Sequence, residues 1–478
     1  MSALVRIIRE NLRPTPDRLG GTLRITVSAL LVAVVMLAFR MPFLYIGPYL
    51  VFILSQRDMF LTRAAAALGL VVALVSTLAI YFVAWLAWDT GWLRVGLWAG
   101  IFYAGYFFMR VSIEPRVVLG PLVVVALFAY AFDEAPDPNR VVSLLGWLWA
   151  ILGLIMASTF LSQWLLGAPS AIDLLRRDFR LLLVGVERVC LHKQAPPMGF
   201  DEEETLQRLE KLEMAGRLSP VQCANCRALC RAGFSFLDAR PESAVGSGAR
   251  DFAGWVRRFR QRVLRGPLSR PEANRPAPEI PDPGLRAAGI AMAEADQAME
   301  SGTAISLNRP PRLFLLADWK SNPNYASFAI RATLATMACY VFMSLTDWNG
   351  IHTCMITCAV TALAGVDEQM RKQNLRMIGA IIGGILGMGA VVFIIPHADS
   401  LAVYLGILAV GTALAAWVSL GNKRVSYAGW QMALAFYMTA LQDPHPSTKL
   451  DIIRDRWVGI FVGIMAMRVG FACFATKR

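Results

Sequence analysis

The sequence predicts an all-α polytopic membrane protein: two parallel six-helix transmembrane repeats, about twelve spans, with a helical cytoplasmic domain inserted between them. Three observations carry that prediction. Hydrophobic residues make up 56% of the 478-residue chain and charged residues 17%, against roughly 25% charge in soluble domains, and mean hydropathy is +0.49. Apolar runs alternate with short basic loops. Finally, punctuating residues recur about 310 residues apart with the same sense of direction, as an even number of spans per repeat requires.

The first set of apolar runs covers about Leu23–Phe39, Phe43–Leu54, Ala64–Trp88, Leu93–Met109, Val117–Phe132 and Val141–Leu166. The second covers Tyr325–Leu345, Ile351–Val366, Met377–Ile395, Leu401–Leu420, Val425–Leu441 and Trp457–Phe474. Several fall short of the roughly 20 residues of a spanning helix. Phe43–Leu54, the shortest, holds Gly47 and Pro48 and reads as a broken or re-entrant helix shielded inside the bundle.

Arg24 pairs with Arg331, Arg63 with Arg376, and Asp133 and Pro136 with Asp443 and Pro446. These matches divide the chain into 1–22, an amphipathic N-terminus; 23–167, the first repeat; 168–320, the cytoplasmic domain; and 321–478, the second repeat. Loop charge gives the orientation. Arg6, Arg9, Arg13, Arg18, Arg57, Arg63, Arg110, Arg116, Arg371, Lys372, Arg376, Lys423, Arg424, Lys477 and Arg478 fall on one side. Arg40, Arg94, Arg140, Lys449, Arg454 and Arg456 fall on the other. The positive-inside rule then puts both termini in the cytoplasm. This placement also explains the net charge of +13 without nucleic acid as a partner. Residues 1–21 lack the pattern of a cleavable signal. Leu4, Val5, Ile7, Ile8 and Leu12 among arginines suit a helix lying on the inner membrane surface, or a frayed end.

In the insert, Ala171–Arg188 has leucines at helical spacing, and Asp201-Glu202-Glu203-Glu204 suits a helix N-terminus. Further helices are predicted over Pro220–Asp238, Arg250–Arg265 and Gly284–Ser301, with a proline-rich linker at Gly266–Pro283. Cys223, Cys226 and Cys230 share one helix face; metal binding with Cys190 or His192 competes with simple packing of small residues, which is favoured. No cofactor is expected: nothing matches a P-loop, and no hydrolase triad is visible. Gly379, Gly383, Gly384 and Gly387 read as a close helix-packing face.

Ionisable groups in apolar runs are functional candidates by default. Arg24 and Arg331 head the first span of each half, where they would attract an anion or snorkel to headgroups. Tyr427, Gln431 and Tyr437 set polar tips along one short helix, as a substrate path or as interfacial anchors. His352, Asp443 and Asp455 are the candidates for proton handling; a plain loop histidine and a local Asp455 latch to arginine are the alternatives.

The run Y-A-G-W-Q-M-A-L-A-F, the Q-D-P turn and R-D-R-W-V-G-I-F-V-G, from Ser426 to Gly463, resemble the fusaric-acid-resistance family of aromatic acid exporters. That resemblance implies a bacterial inner-membrane efflux protein exporting aromatic carboxylic acids or related toxic compounds, driven by protons. As in many members, it implies a periplasmic membrane-fusion adaptor as a partner; the composition calls for a lipid bilayer, and the exporter reading expects a homo-oligomer. No catalytic residue carries over. The longer exporters have a further cytoplasmic domain after the last span, whereas this sequence ends at Lys477-Arg478. A passive organic-anion channel, like the related plant malate channels, and a scaffold or sensor acting through the cytoplasmic domain are the competing functions.

Overall fold

A computed structural model describes residues 16–56, 58–112, 115–191, 202–214, 216–238, 247–265, 283–301, 315–316, 318–362, 366–397, 400–421, 425–442 and 451–473. The described residues form helices and no strand, apart from one bridge between Ser112 and Leu315. The chain divides into two compact units, residues 1–168 with 312–478, and residues 169–311.

Among the described residues the first unit holds twelve α-helices. They are α1 (Pro16–Ala38), α2 (Ile46–Leu54), α3 (Met59–Ala87), α4 (Gly91–Val111), α5 (Pro115–Asp133) and α6 (Pro138–Leu165). After the second unit come α12 (Pro323–Thr346), α13 (Thr353–Thr361), α14 (Val366–Gly389), α15 (Leu401–Ser419), α16 (Ser426–Ala440) and α17 (Asp451–Cys473). Among the described residues, six stretches are long and apolar enough to cross a bilayer: Arg18–Ala38, Met59–Ala87, Pro138–Leu165, Pro323–Thr346, Gln373–His397 and Leu401–Ser419. Each nine-residue helix, α2 and α13, rises about 14 Å, too little to cross a core of about 30 Å. The outward face of α3 presents Leu70, Leu74, Leu78, Tyr81 and Trp85. An apolar surface on that scale belongs against lipid.

Helix spacing recurs along this unit. Helix starts Pro16, Ile46 and Met59 are separated from Pro323, Thr353 and Val366 by one identical interval, which also links Arg24 to Arg331. It further links Arg40 to Asp347, both in the left-handed region at φ 48° and 50°, where non-glycine residues are uncommon. Packing repeats as well: α1 with α6 and α12 with α17, α2 with α6 and α13 with α17, α3 with α5 and α14 with α16. Between halves, α4 meets α12 as α15 meets α1, and α5 meets α13 as α16 meets α2. The same interval sets Gly69, not Arg63, opposite Arg376. Arg63 is exposed near the start of α3, while Arg376 lies deeper in its helix and is buried. The Asp443 and Pro446 matches lie outside the described residues.

Hydrogen bonds between helices stitch this unit: Ser28 to Ser162 at 2.5 Å, Tyr106 to Thr336 at 2.6 Å, and Tyr404 to the Ala440 carbonyl at 2.6 Å. Within lipid such groups must find partners inside the protein. The tightest seam is α14 against α16. Gly379 and Gly383 press on the Ala428 and Met432 carbonyls, and Gly387 on Thr439. Past Gly389 the helix continues as a π turn, Ala390–Ile394, and a 3₁₀ turn at Ile395–His397.

The second unit comprises α7 (Ala171–Cys190), α8 (Glu202–Met214), α9 (Pro220–Asp238), α10 (Ser247–Arg265) and α11 (Pro283–Ser301). On α10, Phe252, Trp255, Val256 and Phe259 are buried at one-face helical spacing. The rings of Phe252, Trp255 and Phe259 stack in sequence from Phe236, with centroids 5.3–5.6 Å apart. Arg260 pairs with Glu187 at 2.6 Å, and Arg208 with Asp178. The N-terminal helix read at Leu4–Leu12 and most of the proline-rich linker lie outside the described residues.

Two glycines separate packing from propensity. A methyl at Gly383 has backbone in its way, whereas one at Gly406 meets nothing within 4 Å. Gly383→Ala is expected to destabilise by about 1–3 kcal/mol, the usual overpacking range. Gly406→Ala should be neutral or gain about 0.5–1 kcal/mol. Thermal unfolding of the purified protein followed by tryptophan fluorescence checks both.

Candidate functional site

On α14, Arg376 shares a face with Gly379, Gly383 and Gly387, since spacings of three and four return to one side of a helix. It therefore points toward α16, where Tyr427 and Gln431 lie one turn apart. α17 closes the third side. Its Trp457 donates to the Ala380 carbonyl at 3.3 Å, and its Arg456 turns in toward α16.

The two arginines are each 2% exposed. Arg376 Nη1 donates to the Tyr427 hydroxyl at 3.3 Å. Arg456 Nη2 donates to Gln431 Oε1 at 3.5 Å, and Nη1 lies 2.8 Å from Met438 Sδ, a weak acceptor. The Nε atom of each is buried with no hydrogen-bond partner. Among the described residues neither forms an ion pair with a carboxylate. Arg456 lies within electrostatic range of Arg376, Tyr45, Tyr49 and Tyr427, and Tyr49 within range of Tyr427 and both arginines. Tyr45, Tyr49 and Tyr427 are half-buried. Two permanent cations thus sit in the bundle, ringed by phenol hydroxyls and one amide.

A second polar group lies around the start of α13. His352, directly before α13, stacks on Tyr130 of α5 with ring centroids 4.5 Å apart. Tyr45 holds the matching position before α2 and lies within electrostatic range of Tyr130. Nearby on α5, Asp133 pairs with Arg94 at 3.1 Å and hydrogen-bonds Tyr340.

Of the residues singled out in the sequence, Tyr427 and Gln431 come together with the arginines. Tyr437 lies further along α16, buried, its hydroxyl 2.6 Å from Thr412 Oγ1. Arg24 is buried and donates to the Gly167 carbonyl at 3.1 Å, at the C-terminal end of α6. Arg331 is half-buried on α12. Asp455 accepts from its neighbour Arg454 at 2.8 Å and presses on Gly350. Asp443 lies outside the described residues.

Arg376 and Arg456, expected from the sequence to be loop charges, are instead inside helices. α14 begins at Val366 and α17 at Asp451, each well ahead of the apolar run that marked it. The missed signal was positional, Arg376 in register with the glycine face.

Cys223, Cys226 and Cys230 are buried on α9, and Cys223 Sγ lies 3.2 Å from the Leu209 carbonyl. No metal-holding group of His, Cys, Asp and Glu occurs among the described residues.

The fusaric acid resistance protein-like family model matches residues 315–469. The resemblance read from Ser426–Gly463 is thus borne out across the second membrane half. The multidrug resistance protein MdtO of Escherichia coli strain K12 is 26% identical over 473 residues, covering 95% of this chain and 69% of the relative. The MdtO of strain O157:H7 matches to the same extent. The MdtO of Shigella flexneri is 38% identical over 156 residues, 32% of this chain and 23% of the relative. No solved structure matches the chain.

Burial pushes the Cys190 and Cys230 thiols up to about 12 and raises Cys226 further. At pH 8 all three are neutral, and the thiolate is the reactive form. Maleimide labelling of the folded protein at pH 8 should leave them unmodified, with full labelling in denaturant. Fast labelling in the folded state would overturn the packed-face assignment.

Proposed function

We propose that this chain is an inner-membrane efflux transporter that exports aromatic carboxylic acids or related toxic compounds, with protons as the coupling ion. The observation that carries the proposal is similarity over 95% of the chain to multidrug resistance proteins. The enclosed polar cluster on α14, α16 and α17 supports it, because ionisable groups at such positions mark transport pathways.

In this proposal the first unit is a pair of parallel six-helix repeats, which its shared helix spacing and matched packing support. Both termini and the second unit face the cytoplasm, in keeping with loop charge. Tyr427, Gln431 and Tyr437 line the substrate path, and Arg24 and Arg331 draw anions toward its entrance. His352, Asp443 and Asp455 handle protons; the stacking of His352 on Tyr130 sets its imidazole beside a second titratable group. The assembly is a homo-oligomer working with a periplasmic adaptor.

Cells expressing the chain should accumulate less radiolabelled 4-hydroxybenzoate than cells without it, and a protonophore should remove the difference. Gln431→Ala and Tyr427→Phe should each slow export several-fold. Unitary picoampere currents in planar bilayers would assign the chain to the channels instead. Equal accumulation with and without the chain would sink this substrate class.

A further inference from the structure

Moving an ion of guanidinium size into a medium of low dielectric costs about 20 kcal/mol in the idealised limit, and several kcal/mol after relaxation. Proteins meet that cost by pairing the charge. Arg376 and Arg456 do not follow this pattern. Each is 2% exposed, each keeps a buried Nε without a hydrogen-bond partner, and they repel one another. Arginine cannot shed its proton to escape. Among the described residues, the groups facing them are Tyr45 just before α2, Tyr49 on α2, and Tyr427, Gln431 and Met438 on α16, none of them a carboxylate.

We propose that Arg376 and Arg456 form the binding site for the carboxylate group of a small organic anion, which supplies the missing counter-charge from outside the chain. This rests on the efflux assignment above and gives it a place in the structure. A planar guanidinium offers paired N–H donors matched to a carboxylate. Two of them with opposed demands favour an anion that both can share. The half-buried tyrosines suit the rest of the ligand, since their rings give an apolar wall and their hydroxyls a polar rim. Because Gly379 and Gly383 sit against α16 backbone, the distance between Arg376 and Tyr427 is set by two helices in contact and not by loops. Arg24, whose guanidinium already serves the Gly167 carbonyl, has a different task in this scheme.

The experiment uses the full chain in detergent and equilibrium dialysis with radiolabelled benzoate, competed by benzamide or chloride. Wild-type protein should bind benzoate saturably, with benzamide and chloride competing at least tenfold more weakly. R376Q and R456Q should each weaken benzoate about 10–100-fold, the range for a charge-assisted hydrogen bond, while R63Q on the exposed face of α3 should bind as wild type. Thermal unfolding guards against misfolding. Removing an unpaired buried charge should leave the ligand-free protein at least as stable, yet abolish the rise in Tm that benzoate gives the wild type. Unchanged benzoate affinity in both arginine variants overturns the site, as does benzamide competing as well as benzoate. Chloride competing equally would make it a general anion site and also overturns the carboxylate assignment. Cellular export separates the two proposals: if wild-type protein exports while the arginine variants bind and export normally, this site fails and the efflux assignment stands. If wild-type protein binds benzoate but exports nothing, the reverse holds.

Discussion

Two guanidinium groups without a carboxylate partner among the described residues are the constraint around which the second half of the membrane unit is arranged. Holding two such charges away from water is costly. What the protein provides around them is a set of neutral dipoles, at Tyr427, Gln431, Tyr45 and Tyr49. Neutral dipoles lower the cost of a buried charge without cancelling it. The site therefore keeps a net positive potential, and an anion entering it gains what the fold withholds.

Holding that arrangement requires rigid helices at short range. The glycine face of α14 lets two backbones approach as close as any pair in the unit, and helix packing in lipid depends on such contact because lipid tails are as apolar as leucine. Gly384, one position around the helix, admits Ile453 and Trp457 of α17. A single stretch of small residues thus locks α14 to both helices that carry the other polar groups. Bulk at any of these positions would move Arg376 relative to Tyr427 before it touched either one.

The two halves share spacing and packing but not chemistry. Where the second half places its arginines near α2, the first half places Tyr130 against His352 at the head of α13, with Arg94 and Asp133 paired nearby. One polar group has its charges paired, and the other has not. Tyr45 lies within electrostatic range of both Arg456 and Tyr130, so the two groups are neighbours across the seam between halves.

The sequence by itself determined that the chain is helical and built for lipid, because a low charge fraction and long apolar runs leave the backbone no other way to satisfy its hydrogen bonds. It also carried the resemblance to the fusaric-acid-resistance family, through Ser426–Gly463, and it marked Tyr427 and Gln431, whose spacing of four fixes their shared face in any helix. Tertiary structure decided the rest. Apolar runs report where hydrophobicity stops, not where a helix stops, so Arg376 and Arg456 looked like loop charges until α14 and α17 were seen to begin before them. The missing counter-charge was equally invisible, since whether an arginine is paired depends on helices far away in the chain. Tyr45 and Tyr49 reach Arg456 through a packing contact between α2 and α16, which no local pattern encodes.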